Sequence, residues 1–337
     1  MDSQKKYVSA STMKSLEQCS WKYYTDKHLK VPEKNNDGAR RGTICHALLE
    51  YLQNEKHRGN YDRVIKANDV SGDSACLRLT RRHFEVADMD DKSEDNFDLV
   101  KKMIMVGLKH DFFCTENGGK LGKAETDFLI ENEDPPYIIK GYIDKHALYD
   151  KGKTLKIIDY KSSKKKFSKA DLDGERQAMM YTLASKTLWP KVKRIIFNFL
   201  FLKFPKQPIQ ELEFSDEALK GFEHYISRVF HIVNNFTKEK HAVANFAADS
   251  DKNSWLCAAG RIQANGKQKW VCPQRDPYKY YVLLDNESRI LDSSMKKSEL
   301  KAEKGQKIEK REYEGCPRWH GEFAENKSQA SNDPFDL

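Results

Sequence analysis

Between about residues 123 and 202 the chain alternates short β-branched and aromatic runs with turn-forming breaks, a rhythm that restricts the possible folds more than any other feature. Ala124 to Glu131, Tyr137 to Tyr149 and Leu155 to Ser162 have the length of strands. Asn132-Glu-Asp-Pro-Pro136 and Asp150-Lys-Gly152 between them have the composition of turns, so the three runs predict an antiparallel meander. A helix follows from about Ala170 to Leu188, ended by Pro190, and then Ile195-Ile-Phe-Asn-Phe-Leu-Phe-Leu202 reads as a buried strand. An amphipathic helix from Ser215 to about Phe236 closes the run. The expected class is α+β, with a mixed central sheet flanked by helices.

The flanking regions differ in character. Ser9-Ala-Ser-Thr12 can cap a helix through Met13, Leu16 and Cys19, and Gly42 opens a second apolar-periodic stretch at Ile44, Ala47, Leu48 and Tyr51. Residues 61–120 are polar, with helical periodicity near Val100 to Leu108. Beyond Phe246 come three of the five tryptophans, three of the seven cysteines and the cluster Tyr278-Lys-Tyr-Tyr281, which predicts a separate compact unit. The expected division is a helical region 1–120, a core 121–245 and an appendage 246–337 whose polar end, Glu325 to Leu337, is disordered.

Mean hydropathy is −0.80 and there is no run of about 18 apolar residues, so a membrane-spanning helix is not expected. Met1-Asp-Ser-Gln-Lys-Lys leads into no apolar stretch, and the expected compartment is cytoplasmic. Lysine and arginine outnumber aspartate and glutamate by 59 to 51, an excess that suits a polyanionic partner. Seven cysteines, an odd number, argue against a disulfide framework. No Gly-x-x-x-x-Gly-Lys-Ser/Thr loop is present, so no nucleotide-driven motor is visible.

Side chains alternate along a strand, so Asp159 and Lys161 share a face with Leu155 and Ile157. If the flanking strands pair about Asp150-Lys-Gly152, Asp144 falls nearly opposite Asp159, leaving two carboxylates that repel until a cation joins them. Metal-assisted phosphodiester hydrolysis needs such carboxylates and a positive group near the attacking water. The alternative, a cross-strand salt bridge on a solvent face, is disfavoured by the apolar Ile157 and Ile158. Lys164, Lys165, Lys166 and Lys169 follow directly, either as a solvated loop or as contacts to a nucleic-acid backbone.

Gly141-Tyr-Ile-Asp144, Ile157-Ile-Asp-Tyr-Lys-Ser162 and Gln177-x-x-x-Tyr181 resemble, in order, the motifs of RecB-type PD-(D/E)XK nucleases, a group that includes the AddB nuclease domain and CRISPR-associated adaptation nucleases. Residues 9–24 resemble the family's N-terminal helix, and Gly42-Thr-Ile-Cys-His46 its Gly-x-x-x-His motif. The resemblance spans roughly residues 7–205. It implies a restriction-endonuclease-like core and a DNA nuclease, by preference an exonuclease acting on single-stranded or duplex ends. It also implies Mg2+ or Mn2+ held by His46, Asp144, Asp159 and the Tyr160 carbonyl, with Glu125 beside them and Lys161 assisting the water. Gln177 and Tyr181 would brace the lysine or touch the substrate. A non-catalytic DNA-binding module, an endonuclease and an RNA nuclease stay open as alternatives, as does service beside a helicase or recombination partner.

Some relatives bind a four-iron, four-sulfur cluster through one N-terminal cysteine and three after the core. Cys19, Cys257, Cys272 and Cys316 match in number but are widely spaced, so a cluster, a zinc site or simple packing all remain open. Trp270 and the tyrosine cluster either stack bases of a single strand or form the appendage's own core.

Overall fold

The computed structural model describes residues 6–32, 37–89, 94–235 and 272–320. Helices α1 (Ala10–Gln18), α2 (Ser20–Lys27), α3 (Asp37–Gln53), α4 (Arg58–Ala67), α5 (Ser74–Val86) and α6 (Glu94–Leu108) come first. Strands β1 (Lys120–Leu121), β2 (Thr126–Glu133), β3 (Pro136–Ile143), β4 (Lys145–Tyr149) and β5 (Thr154–Lys161) follow. Then come α7 (Lys169–Asp173), α8 (Arg176–Leu188), β6 (Arg194–Phe201), β7 (Ile209–Leu212) and α9 (Asp216–Asn235). The described chain ends with β8 (Tyr278–Leu284), β9 (Ile290–Ser294) and β10 (Lys307–Tyr313).

Contacts divide the chain into two compact units, one of Met1–Ala10 and Asn35–Phe230, the other of Ser11–Lys34 and His231–Leu337. The boundary expected near residue 245 and the tail from Glu325 lie outside the described residues, and the boundary at 120 falls at β1, within the first unit.

The first unit holds a five-stranded mixed sheet ordered β1-β4-β5-β6-β7, in which β5 and β6 are parallel and the other pairs antiparallel. Alternation along β5 sends Ile158 and Tyr160 to one face, into a core with Ile44, Leu48 and Leu52 of α3, Met103 and Ile104 of α6, and Leu200. Ile157, Asp159 and Lys161 point to the other face, where Phe197, Phe199 and Phe201 of β6 form an aromatic ladder with Phe167. Ile157 and Ile158 are both buried, so this strand has no solvent face.

Two predicted elements are broken in the structure. The run Tyr137 to Tyr149 divides at Asp144 into β3 and β4, which belong to different sheets, since β2 and β3 make a separate hairpin. The reason is local: the Asp144 carbonyl accepts the Glu125 N–H at 3.1 Å and its carboxylate accepts the Tyr160 N–H at 2.9 Å, so a side chain stands where a ladder bond would be. The predicted helix Ala170 to Leu188 is two helices. Ser168 and Asp171 form a capping box that starts α7, and after Gly174 the Glu175 carboxylate caps α8 through the Ala178 N–H at 2.7 Å.

In the second unit, β8 is central to a three-stranded sheet ordered β10-β8-β9. The indole N–H of Trp21 donates to the Tyr313 hydroxyl (2.9 Å), which donates to the Gln274 carbonyl (2.8 Å), and the Gln274 amide donates to Asp26 (3.2 Å). The beginning and the later part of the chain thus share one buried polar network. Tyr280 is buried and Tyr278 packs on Tyr313 at 5.4 Å, so these tyrosines belong to the unit's interior, while Trp270 lies outside the described residues. Cys19 is not the end of α1 but the extended residue before α2.

Candidate active site

The register of β4 on β5, with Lys145 opposite Ile158, brings Asp144 to the level of Asp159, as the turn at Asp150-Lys-Gly152 predicts. Behind Asp144, Lys145 points the other way. Its buried ammonium donates to the Phe112 carbonyl and lies over the Phe112 ring, and burial pulls its pKa down to about 8. Asp144 is therefore anchored on both sides, by its own bond to Tyr160 and by its neighbour. Sequence reasoning missed Lys145, because a lysine in a strand ordinarily signals a wet face.

His46 reaches the same place from α3. Its Nε2 lies 3.0 Å from the Tyr160 carbonyl and its Nδ1 3.4 Å from Asp144 Oδ2. Burial works against a charged imidazole here, but the Asp144 carboxylate outweighs it and pushes the pKa up to about 9. Gly42, one turn earlier, explains the spacing: a Cβ there would sit 2.7 Å from Ser162 Oγ, just past the end of β5. A Gly42→Ala variant must therefore turn the Ser162 hydroxyl aside or ease α3 from the strand that carries Tyr160, at about 1 kcal/mol, the low end of overpacking. A lower melting temperature together with weaker Mn2+ binding by calorimetry is the expected outcome.

Glu125 precedes β2 in a left-handed bend (φ 47°) rather than starting the strand, which turns its carboxylate toward the other acids. Burial and the nearby Asp144 push its pKa up to about 6. His46, Glu125 and Asp144 each offer a ligand atom, and these atoms lie within 4.8 Å of one another, the one such group among the described residues.

Asp159 stands beside this trio, fully buried. Its Oδ1 accepts the Gln177 amide at 2.7 Å, while Gln177 Oε1 accepts the Lys161 ammonium at 2.6 Å. Lys161 Nζ also lies 2.8 Å from Asp159 Oδ2, which closes an ion pair between the two. Burial pushes the Asp159 carboxyl up, against the pull of Lys161. Tyr181, one turn after Gln177, packs edge-on to Phe128 at 5.4 Å, and both rings close over Gly141, where a Cβ would meet Phe128 at 2.6 Å. The glycine in Gly141-Tyr-Ile-Asp144 thus lets two aromatic rings seat beside the acids.

Of the lysines after β5, Lys164, Lys165 and Lys169 are exposed, whereas Lys166 is turned back to the Gln207 carbonyl. Cys19, Cys272 and Cys316 fall in the second unit, and Cys257 lies outside the described residues. Arg275 links two of them, donating its N–H to the Cys272 carbonyl at 3.0 Å and accepting the Cys316 N–H at 3.1 Å. These three thiols do not meet as a ligand group among the described residues.

The family model of the PD-(D/E)XK nuclease superfamily matches residues 7–273. The chain belongs to that superfamily. A PD-(D/E)XK nuclease acts on nucleic acid with divalent metal, and the cluster of His46, Glu125 and Asp144 could hold such an ion. The α+β architecture, a mixed sheet between helices, is that of the restriction-endonuclease-like fold. No curated protein matches this nuclease. Among solved structures, a provisionally named exonuclease from Eubacterium rectale is similar, with 13% identity and a TM-score of 0.44 over 71% of this chain and 85% of that one. At that distance the likeness says nothing about activity. No described helix is long and apolar enough to cross a membrane.

Proposed function

We propose that this nuclease hydrolyses DNA phosphodiester bonds at strand ends, in the manner of the RecB-type members whose motif order it shares, with Mg2+ or Mn2+ as the metal. The observation that carries the reading is the convergence of His46, Glu125 and Asp144, whose ligand atoms lie within 4.8 Å of one another, beside the buried Asp159 and its Lys161 partner. The carboxylates of Glu125, Asp144 and Asp159 gathered at one place repel one another, and a divalent cation relieves that cost.

Asp144, Asp159, Glu125, His46 and the Tyr160 carbonyl would hold the ion; oxygen donors with one imidazole suit Mg2+ or Mn2+. When bound, the metal lowers the pKa of a water and neutralises charge on the phosphate. The chain's own residues do the rest. Gln177 fixes Lys161 by its amide oxygen and Asp159 by its amide nitrogen, so acid and ammonium keep one mutual geometry. Lys161, with part of its side chain open to solvent, presents a positive charge toward the phosphate and the attacking water. Tyr181 and Phe128 wall the site on the side of Gly141.

The test is time-resolved digestion of end-labelled linear duplex, closed circular and single-stranded DNA with each metal. Release of short products from linear molecules, with closed circles intact, is the expected result. Cleavage of closed circles would refute a requirement for ends, and cleavage of matched RNA in preference to DNA would refute the substrate. Absorption and metal analysis of the same protein, purified without oxygen, decide the thiols: bound iron or zinc assigns Cys19, Cys257, Cys272 and Cys316 a ligand role, and a colourless, metal-free preparation removes it.

A further inference from the structure

Three segments meet just past the carboxyl end of β5, each bringing one cation. Gly42 of α3 closes on Ser162, with Arg41 beside it in sequence. The Leu202 N–H, at the end of β6, donates to the Lys161 carbonyl at 2.9 Å, and Lys203 is the next residue. Lys164 lies in the loop after β5, and that loop is fastened to the β6–β7 side by paired bonds between Phe167 and Gln210 at 3.1 and 3.0 Å.

Among the described residues these cations have no counter-charge. Neither Lys164 nor Lys203 makes an ion pair among the described residues, and the Arg41 guanidinium bonds only the neutral amide of Asn96 while its Nε is shielded and unpartnered. Burial first, then the charges of Arg41 and Lys164, hold the Lys203 ammonium below its usual pKa. Cys45 beneath them offers no anion, since burial pushes its thiol up to about 12. Like charges gathered without an acid cost stability, and an anion removes the cost. Beyond Lys203 opens a cavity of about 560 Å³ with Lys102, Lys109 and His110 on its wall and Met105 and Val106 within it. Its two acids, Asp69 and Asp98, are both occupied by Lys101.

We infer that Arg41, Lys164 and Lys203 form a second phosphate subsite, which grips a backbone phosphate of the single strand next to the bond being cut and directs the strand into the adjoining cavity. The inference rests on the nucleic-acid reading above and adds where the strand runs. The cluster lies one to three residues from Lys161 along the chain or across a strand bond, the scale of neighbouring phosphates.

The experiment measures binding of a fluorescent single-stranded oligonucleotide in chelator across a range of salt, and separately KM and kcat with Mn2+. Lys203→Gln breaks no bond in the fold, so it is the primary variant, and Arg41→Gln with Lys203→Gln is the second. The pair should lower the salt slope by about 0.7, the value for one phosphate of a single strand, and raise KM about tenfold with kcat near native. Lys203→Arg should restore the native slope. A native slope and KM in both variants overturns the subsite while hydrolysis stands. If the native chain binds the strand but never cuts it, the hydrolysis reading fails and the slope difference still decides the subsite. Absence of binding by the native chain overturns both.

Discussion

An Asp159→Ala variant is expected to fold and to bind DNA, yet to lose metal-dependent cleavage by at least about 10³-fold, the equivalent of several kcal/mol of charge stabilisation at the phosphate. Asp159 links the two halves of the site. Its Oδ1 accepts from Gln177 and its Oδ2 faces Lys161, so its loss removes a candidate ligand and leaves the ammonium held by Gln177 alone. Stability should change little, because burial already opposes the charge on this carboxyl and Lys161 retains both Gln177 and access to water. Circular dichroism with initial rates of product release checks both halves. A variant that cuts at the native rate would remove Asp159 from the mechanism.

The second large effect is on stability. Asp73 is a buried carboxylate that accepts the Cys76 N–H at the start of α5 (2.9 Å), the Asn60 amide (3.0 Å) and the Arg63 guanidinium (2.8 Å), the last two from α4. Asp73→Ala removes a helix cap and two tertiary bonds and leaves Asn60 unpaired, at a cost of about 3 kcal/mol. That corresponds to a fall in melting temperature of roughly 6–12 °C. Burial alone would raise the Asp73 pKa, but the three donors outweigh it and hold it well below the usual carboxylate range. A depressed folded-state value contributes stability above the unfolded pKa and loses it as pH falls through the folded one. The gap between native and Asp73→Asn proteins should therefore be full at neutral pH and shrink below about pH 4. A gap independent of pH would show that the hydrogen bonds, not the charge, are responsible.

The sheet and the opposition of Asp144 to Asp159 were legible because both follow from period-two alternation and one turn signal. The breaks were not. Nothing in Tyr137 to Tyr149 marks Asp144 as the residue whose side chain takes the Tyr160 N–H, since that bond is tertiary. The capping box at Ser168 and Asp171 and the cap at Glu175 are local signals that lay unread inside a longer helical pattern. His46 was placed by motif order, and its physical reason, the closeness of Gly42 to Ser162, needs the folded chain. The same holds for Arg41 and Lys203, which are unremarkable in the sequence and become a cluster only where three segments converge. The union of residues 11–34 with the later part of the chain had one hint in the sequence, the pairing of Cys19 with the cysteines after the core, while the bonds of Trp21, Tyr313 and Gln274 that join them had none.

The central claim is that this chain cuts DNA with a metal held at His46, Glu125, Asp144 and Asp159. Its most direct test is the rate of product release from an end-labelled single strand by native protein with Mn2+, with Mg2+ and with excess chelator. Cleavage with either metal that stops in chelator is the predicted result. A strand that is bound but remains intact with both metals would contradict it.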